Sequence, residues 1–388
     1  MSHPRIFAQP MPNTPDLTSI EVITRLRRHQ DHLDLCRAMR LDTAPAASFE
    51  INDPADPDAF DHFLDECLRD DISDATAQTD LRLRHRAERF IVTRAAAIKA
   101  QIEPLRAEDR GAVRSALGRG RFGGVTSRDR MHEILADLHA RAPWMAPAAA
   151  AVMRAMNRAT TAGPAPFQAP PMILVGGPGI GKSRWARDLA RAFNVPAISV
   201  DIGATNGAVF ALSGVERGWG GATPGRVVRT MLATRVVNPI VVIDEVDKIP
   251  TVVGTARGGS LPGAAEVLKS MIETTSARAW TCPCLQLPVD LTRVSWIMTT
   301  NSLGGIPEPL LDRCLVVRIP DPTPEHLRLV AARKIADVIP DPDLRRDLLG
   351  MIGALLDDRR AVGKRTSLRQ VMRMIDRIDT ALDLVRQN

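Results

Sequence analysis

An eight-residue glycine-rich segment, Gly176–Ser183, constrains the fold of this chain more than any other part of its sequence. It reads G-G-P-G-I-G-K-S and directly follows the apolar run Met172–Val175. A helical run, Arg184–Phe193, comes immediately after it. A strand, a glycine-rich turn and a helix in this order are typical of a loop that binds phosphate at a helix N-terminus. The segment therefore predicts a nucleotide site on a parallel α/β sheet.

Each residue type in this loop has a physical reason to be there. The glycines let the backbone approach phosphate oxygens and direct N–H groups at them. Lys182 is expected to reach the β- and γ-phosphates of ATP, and the Ser183 hydroxyl is expected to bind Mg²⁺. ATP and Mg²⁺ are thus the expected substrate and cofactor. The predicted binding residues are Gly176, Gly177, Pro178, Gly179, Ile180, Gly181, Lys182 and Ser183.

A pair of carboxylates follows a second apolar strand. Ile240–Ile243 consists of four β-branched residues, and Asp244 and Glu245 come next. Ligands bind at the C-terminal ends of strands in parallel sheets, so this pair is expected beside the phosphate loop. Asp244 is predicted to hold Mg²⁺, and Glu245 is predicted to orient and deprotonate an attacking water. The alternative is an acidic pair in ordinary solvent.

Strands and helices alternate between Pro171 and Pro324, and only helical patterns follow. This order predicts a three-layer α/β core with a parallel sheet, residues 171–321, followed by a small helical lid, residues 322–388. Residues 1–160 have helical periodicity and predict an all-α region whose role the sequence does not state. The predicted strands are Met172–Val175, Ala197–Val200, Ile240–Ile243, Val294–Met298 and Cys314–Ile319.

Four further segments resemble the ATPase module of Lon proteases, within the AAA+ family. They are Trp219–Arg226 (W-G-G-A-T-P-G-R), Asp244–Ile249 (D-E-V-D-K-I), Leu287–Val294 (L-P-V-D-L-T-R-V) and Ile306–Arg313 (I-P-E-P-L-L-D-R). Their order and spacing match over about residues 171–388. The resemblance implies an AAA+ fold and a homo-oligomeric ring, with a hexamer expected. It also implies that ATP hydrolysis remodels or unfolds a protein partner.

The same resemblance implies roles for residues outside the phosphate loop. Asn301, in the segment T-T-N, matches the sensor-1 position, which helps to place water near the γ-phosphate. Arg313 matches the arginine finger, which reaches the ATP of a neighbouring subunit and stabilises transition-state charge. Arg369, on the last helix, matches sensor 2 of the lid, and Arg365 is the alternative at that position.

Trp219 matches the aromatic pore-loop residue that grips an unfolded polypeptide. Its glycine neighbours, Gly218 and Gly221, favour an exposed position on a mobile loop. Gly220 stands where Lon-type loops usually carry an aliphatic residue, so the grip is expected to be weaker or different. The segment Thr251–Gly263 is either a second pore loop or a disordered insertion.

Lon proteases continue past the lid into a peptidase domain with a Ser–Lys dyad. This sequence ends at Asn388, and its only lysine beyond Lys334 is Lys364, within the predicted lid. The expectation is therefore an ATPase without peptidase activity of its own.

The sequence also indicates whether the chain is a membrane protein, a secreted protein or a disulfide-bonded protein. No apolar run approaches the roughly 20 residues of a membrane-spanning helix. The lead segment Met1–Pro15 is no secretory signal and is predicted to be disordered or loosely attached, so a cytoplasmic location is expected. The five cysteines are an odd, scattered set and do not form a disulfide framework. The C-P-C at Cys282–Cys284 is a packed or surface thiol pair, or else part of a metal site.

The net charge of +6 is unevenly distributed. Arg82–Arg130 carries 13 Lys and Arg residues against 5 Asp and Glu. Such a segment could contact nucleic acid or could be a solvated helical surface. Two alternatives to a protein remodeller follow. One is an AAA+ ATPase that acts on nucleic acid, in phage defence or replication, and the other is a slow nucleotide-dependent assembly switch.

Overall fold

The computed structural model describes residues 4, 6–8, 20, 22–28, 76–117, 120–161, 163–202, 208–219, 221–249, 252–254 and 260–386. The chain divides into two compact units, each built from three stretches of sequence. The first unit contains Met1–Arg121, Gly214–Val237 and Thr274–Thr292. The second unit contains Phe122–Ser213, Asn238–Glu273 and Arg293–Asn388.

The described helices and strands are numbered in chain order. The helices are α1 Thr76–Ile102, α2 Ala107–Ala116, α3 Arg128–Arg141, α4 Ala146–Ala159, α5 Lys182–Ala192, α6 Ala208–Ser213, α7 Arg226–Thr234, α8 Ala264–Ile272, α9 Thr274–Ala277, α10 Glu308–Leu311, α11 Pro324–Val338, α12 Pro342–Ala361 and α13 Leu368–Arg386. The strands are β1 Met172–Val175, β2 Ala197–Asp201, β3 Ile240–Asp244, β4 Val252–Gly254, β5 Ser260–Pro262, β6 Trp280–Thr281, β7 Pro288–Val289, β8 Ser295–Thr300 and β9 Leu315–Arg318.

A five-stranded sheet organises the second unit. Its strand order is β2–β3–β8–β1–β9, and every neighbouring pair is parallel. All six residues of β8 are buried, as is expected for a central strand of a parallel sheet. The five apolar runs that predicted strands all lie in this sheet, so the predicted parallel α/β fold is confirmed.

The strand order determines where the functional segments meet. The strands β3, β8 and β1 are consecutive neighbours, and Val175 at the end of β1 lies in register with Thr300 at the end of β8. Because the strands are parallel, their carboxyl ends lie at the same edge of the sheet. That edge therefore carries the phosphate loop after β1, the Asp244–Glu245 pair at the end of β3 and the T-T-N segment at the end of β8.

Helices before and after the sheet complete the core of the second unit. The helices α3 and α4 bury Leu135 and Val152 in the same apolar cluster as the sheet residues. The C-terminal helices α11, α12 and α13 add Ile335, Ile352 and Val371 to that cluster. These three helices confirm the predicted helical region after the sheet. The division into residues 1–160, 171–321 and 322–388 stays a prediction.

A buried asparagine joins two segments of the second unit. Asn238 is 1% exposed, and its side-chain amide donates to the carbonyls of Gly123 and Phe167 at 3.0 and 2.9 Å. Its carbonyl oxygen accepts from the backbone N–H of Gly123 at 2.8 Å. Both N–H groups and the carbonyl oxygen of the Asn238 side chain are therefore hydrogen-bonded inside the protein.

The first unit contains a strand pairing at its N-terminal segment. The backbone N–H of Ala8 donates to Pro288 at 2.9 Å, and the N–H of Asp290 donates to Ile6 at 2.9 Å. Ile6 and Phe7 are both buried. The expectation of a loosely attached lead is thus wrong for residues 6–8, because they pair with the edge of β7.

Helical predictions for the N-terminal part hold where the structure describes it. Apolar residues at helical spacing predict a helix over residues 17–41. Within it, residues 22–28 are helical, and Leu26 packs with Leu83 and Phe90 of α1. The sequence also predicts a linker over residues 42–58, and this whole stretch lies outside the described residues. Among the described helices, none combines the length and the apolar composition that crossing a membrane requires. The cytoplasmic location stays a prediction.

Candidate functional site

The phosphate loop connects β1 to α5, which begins at Lys182. Gly179 and Gly181 have φ values of +74° and +95°, a region that side-chain-bearing residues rarely adopt. Gly181 immediately precedes the helix, so the turn ends at the unpaired N–H groups of the first turn of α5. The sequence pattern of glycines therefore corresponds to a backbone path that brings a helix N-terminus to the edge of the sheet.

Lys182 is largely enclosed by the loop that precedes it. Its side chain is 7% exposed, and Nζ donates to the carbonyls of Gly176 and Gly177 at 2.8 and 2.9 Å. The third donor of Nζ goes to Oδ1 of Asn301 at 3.1 Å. Burial lowers the pKa of Lys182, while the nearby carboxylate of Asp244 favours the charged form. Lys182 and Asn301, 119 residues apart, are thus in direct contact.

Asp244 accepts hydrogen bonds from two hydroxyls. Ser183 Oγ and Thr299 Oγ1 both donate to Oδ1 of Asp244, the latter at 2.8 Å. The guanidinium of Arg187 lies 3.8 Å from the other carboxylate oxygen. The two predicted magnesium ligands, Ser183 and Asp244, therefore adjoin each other in a set of oxygen atoms of the type that Mg²⁺ prefers.

Glu245 occupies an uncommon backbone conformation at the end of β3. Its φ is +57°, one of the few positive values at a residue other than glycine. Its carboxylate accepts from Lys248 Nζ at 2.5 Å, and this hydrogen bond raises the pKa of Lys248. Glu245 and the neighbouring Asp244 both line the same cavity.

A cavity of about 430 Å³ brings together most of the residues that were predicted from sequence. It is bounded by parts of the phosphate loop, both carboxylates, the T-T-N segment and the start of α13. Its lining residues are Pro178, Gly179, Gly181, Lys182, Ser183, Arg184, Arg187, Asp201, Asp244, Glu245, Thr299, Thr300, Asn301, Leu368, Arg369 and Met372.

Both sensor-2 candidates lie beside the phosphate loop. The side chain of Arg369 lines the cavity, and its backbone N–H donates to Gly179 at 3.2 Å. Arg365 pairs with Asp321 and lies so close to Gly177 that any side chain at Gly177 would overlap its guanidinium. The absence of a Cβ at Gly177 therefore serves the approach of an arginine as well as the turn.

Arg313 is not among the described residues that line this cavity. It follows α10, and its guanidinium donates twice to Oε2 of Glu273, from Nε at 3.1 Å and from Nη2 at 2.9 Å. Nη1 donates to the carbonyl of Pro309 at 2.8 Å. The side chain remains 30% exposed, so it is held by its own chain yet reaches solvent.

Trp219 belongs to the first unit and is 55% exposed. Gly218 and Gly221 on either side have φ values of +101° and +81°. Arg217 anchors the loop, because its guanidinium donates to the carbonyls of Cys284 and Leu285, the former at 3.1 Å. Gly220 lies outside the described residues.

The C-P-C segment consists of buried thiols. Cys282 and Cys284 are both buried, and burial raises the pKa of Cys282 to about 11. Metal binding requires the thiolate, which this environment disfavours. Within the described residues, no three His, Cys, Asp or Glu side chains are grouped so that they could hold a metal ion. The geometry thus agrees with a packed thiol pair.

Only some of the basic residues of the segment Arg82–Arg130 are exposed to solvent. Arg82, Arg84 and Arg89 are exposed on α1, whereas Arg94 is 7% exposed. The exposed arginines of α1 face solvent, and Arg94 belongs to the packing of the first unit.

Three contacts at the site were not predicted from sequence. Thr299 precedes Asn301 in T-T-N, so its proximity to the site could have been inferred. Arg187 is four residues after Ser183 and therefore shares its helix face, which is a usable signal. Trp144 donates from its indole N–H to the Ile180 carbonyl in the phosphate loop at 2.9 Å, and nothing in the sequence indicates that contact.

Comparison with known proteins identifies the same region. Residues 172–320 match the family described as ATPases associated with various cellular activities (AAA). The mitochondrial Lon protease homolog of Yarrowia lipolytica is 34% identical over 155 residues, which cover 40% of this chain and 13% of that protein. Lon protease 1 of Thermus thermophilus is 34% identical over 163 residues, 42% of this chain and 20% of that protein. The chain thus matches a fifth or less of the length of these relatives.

A solved structure supports the fold. A cryo-EM reconstruction of Hsp104 with ATPγS and FITC casein superimposes with a TM-score of 0.51 and 14% identity. The superposition covers 96% of this chain and 65% of that chain. The family match spans the phosphate loop, the Asp244–Glu245 pair and Asn301. Residues 172–320 therefore form an AAA-family ATPase domain that resembles the ATPase module of Lon proteases.

Proposed function

We propose that this chain is an ATP-hydrolysing motor of the Lon-like AAA+ type that assembles into a homo-oligomeric ring, with six subunits expected. In this proposal the motor remodels or unfolds a protein partner. The observation that carries it is the single cavity lined by Lys182, Ser183, Asp244, Glu245 and Asn301. Three of these residues, Lys182, Ser183 and Asp244, would bind phosphate and metal. The other two, Glu245 and Asn301, would act on the attacking water.

The phosphate loop and Lys182 would bind the triphosphate. The N–H groups at the start of α5 and the glycines of the loop supply donors without side-chain obstruction. Lys182 uses all three of its donors on Gly176, Gly177 and Asn301. A phosphate oxygen would therefore replace at least one of these acceptors, and binding would reorganise the Lys182–Asn301 contact.

Ser183 and Asp244 would hold Mg²⁺. They fit this ion because both present oxygen atoms, and because they already lie in hydrogen-bonding contact. When bound, Mg²⁺ neutralises charge that develops on the phosphate oxygens. Thr299 donates to the same carboxylate oxygen and would orient Asp244.

Glu245 would accept a proton from the attacking water, and the Asn301 amide would position that water. The Glu245 carboxylate is partly exposed and paired with Lys248. This exposed pair is a weak interaction, so it can separate when a water and nucleotide enter. Arg369 from the lid would contribute positive charge near the phosphates, and Arg365 is the alternative.

Arg313 would complete the site of a neighbouring subunit. It does not line the cavity of its own chain among the described residues, and its guanidinium reaches solvent. Trp219 would contact the protein partner, because a half-exposed indole between glycines can bury apolar surface on binding. Gly220 would shape the same loop.

The central test is the variant Glu245→Gln. Because the amide cannot accept the proton, we expect turnover to fall by about 10²- to 10⁴-fold while ATP binding is retained. Phosphate release measures the first quantity, and titration with a fluorescent ATP analogue measures the second. Glu266→Gln, an exposed carboxylate on α8, is the matched control. Turnover at the native rate in Glu245→Gln would refute the assignment of the base.

The exposed arginines of α1 favour a second candidate, action on nucleic acid. Phosphate contacts make such binding fall steeply with salt. Turnover measured with an unfolded protein and with single-stranded DNA at several salt concentrations separates the two candidates. Stimulation by the protein supports remodelling, stimulation by DNA at low salt supports the second candidate, and slow turnover with neither supports an assembly switch.

A further inference from the structure

We propose that Glu273 is a positioning residue for Arg313: it fixes the guanidinium that acts at the site of the neighbouring subunit. The inference rests on the proposed function, in which Arg313 acts in trans. Glu273 lies 40 residues before Arg313, and no sequence motif connects the two. Their contact is a property of the fold.

The hydrogen bonds of Arg313 orient its guanidinium but do not use all of its N–H donors. A guanidinium has five N–H donors. Nε and one N–H of Nη2 go to Glu273, and one N–H of Nη1 goes to the carbonyl of Pro309. By this count, one N–H on each terminal nitrogen has no acceptor among the described residues. Two parallel donors on Nη1 and Nη2 suit the oxygens of a phosphate.

Glu273 presents its carboxylate from the C-terminal end of α8. It directly follows α8, and its backbone N–H donates to the Lys269 carbonyl at 3.0 Å. Leu268 and Met271 of the same helix are fully buried, which fixes the helix in the core. A long arginine side chain on its own has many rotamers, so a fixed partner lowers the entropy that is lost when it binds phosphate.

The opposite reading is that Glu273 sequesters Arg313 and inhibits the motor. The geometry favours positioning, because the pair engages Nε and only one of the two donors of Nη2 and leaves the tip of the fork accessible. The two readings predict opposite changes in turnover when Glu273 is removed.

The experiment measures kcat and KM for ATP in Glu273→Ala, Glu273→Gln, Arg313→Ala and the double variant. We expect Glu273→Ala to lower kcat on the order of 10²-fold, as misplacement of a catalytic group does, with KM unchanged. Glu273→Gln keeps an oxygen acceptor and should recover much of the loss. The double variant should equal Arg313→Ala, because the effect of Glu273 on turnover passes through Arg313. Glu266→Ala, on the same helix and in an ion pair with Lys269, is the matched control and should behave as the native chain.

A mixing experiment tests the action between subunits. Glu273→Ala subunits have an intact cavity, and Glu245→Gln subunits have an unaltered Arg313. Mixing the two should raise turnover per Glu273→Ala subunit, and an absence of any rise would overturn the inference. If Glu273→Ala does not bind nucleotide because it misfolds, the variant Glu273→Asp is used in its place. Asp keeps the charge but withdraws the carboxylate by one methylene, so kcat should fall, and a native kcat would overturn the inference.

The outcomes separate this inference from the proposed function. Native turnover in Arg313→Ala would remove the finger assignment and, with it, the role of Glu273. Loss of turnover in Arg313→Ala with native or raised turnover in Glu273→Ala would leave the proposed function standing and overturn the inference alone.

Discussion

Lys182 carries a largely desolvated positive charge in the lining of the cavity. Burial lowers its pKa below the usual value of 10.5, so between the lowered pKa and 10.5 the unfolded chain binds more protons at this residue. The contribution of Lys182 to stability therefore rises with pH across that window. At neutral pH its charge disfavours the folded state.

We expect Lys182→Met to abolish ATP binding without lowering the melting temperature in the absence of nucleotide. The change removes the phosphate contact together with the buried charge. Titration with a fluorescent ATP analogue and thermal denaturation measure the two effects. Lys269→Met, at an exposed ion pair, should change neither quantity. A clear drop in melting temperature for Lys182→Met would show that its three hydrogen bonds outweigh the burial of its charge.

Two cysteines, the buried Cys282 and the half-buried Cys314, lead to a pH prediction. Burial raises the pKa of Cys282 to about 11 and that of Cys314 to about 12. Because the unfolded thiols ionise from about pH 9, their contribution to stability is complete below that pH and is lost as pH rises through the raised values.

At pH 8 we expect iodoacetamide to modify Cys282 and Cys314 at least about 10²-fold more slowly in the native chain than in guanidinium, because only the thiolate reacts. Peptide mapping by mass spectrometry measures the rate at each site. Similar rates in the two conditions would mean that these thiols are not enclosed as the structure places them.

At the level of elements, Asn238 links β3 to the segment that leads into α3. We expect Asn238→Ala to lower the free energy of unfolding by about 2 kcal/mol or more, because the backbone N–H and carbonyl of Gly123 and the carbonyl of Phe167 lose their partner inside the protein. Urea denaturation measures the change. A loss within 0.5 kcal/mol would be typical of a surface site and would contradict this role.

The elements also show what a sequence can and cannot predict. Runs such as Ile240–Ile243 predicted strands because buried parallel strands are continuously apolar. The phosphate loop was predictable because Gly179 and Gly181 have positive φ values, a local backbone requirement that glycine meets. The short segment Ile6–Ala8 has no period to detect, so its pairing with β7 was missed. Glu273 could not be linked to Arg313 either, because contacts between distant segments depend on how helices pack.

For the whole molecule, the proposed action of Arg313 in trans makes turnover depend on assembly. We expect ATP turnover per subunit to rise with protein concentration and to level off where light scattering shows a complete oligomer. Arg313→Ala should remain low at every concentration, by about 10³-fold. Constant turnover across a range in which the oligomer dissociates would contradict catalysis between subunits.

The strand pairing of residues 6–8 has a consequence for how the protein is made. Ile6 and Phe7 pair with residues that are about 280 positions later in the chain. At a synthesis rate of about 5–20 residues per second, these apolar residues wait on the order of tens of seconds for their partner. During translation they are an exposed hydrophobic stretch that a chaperone can hold, and the first unit closes only after β7 has left the ribosome.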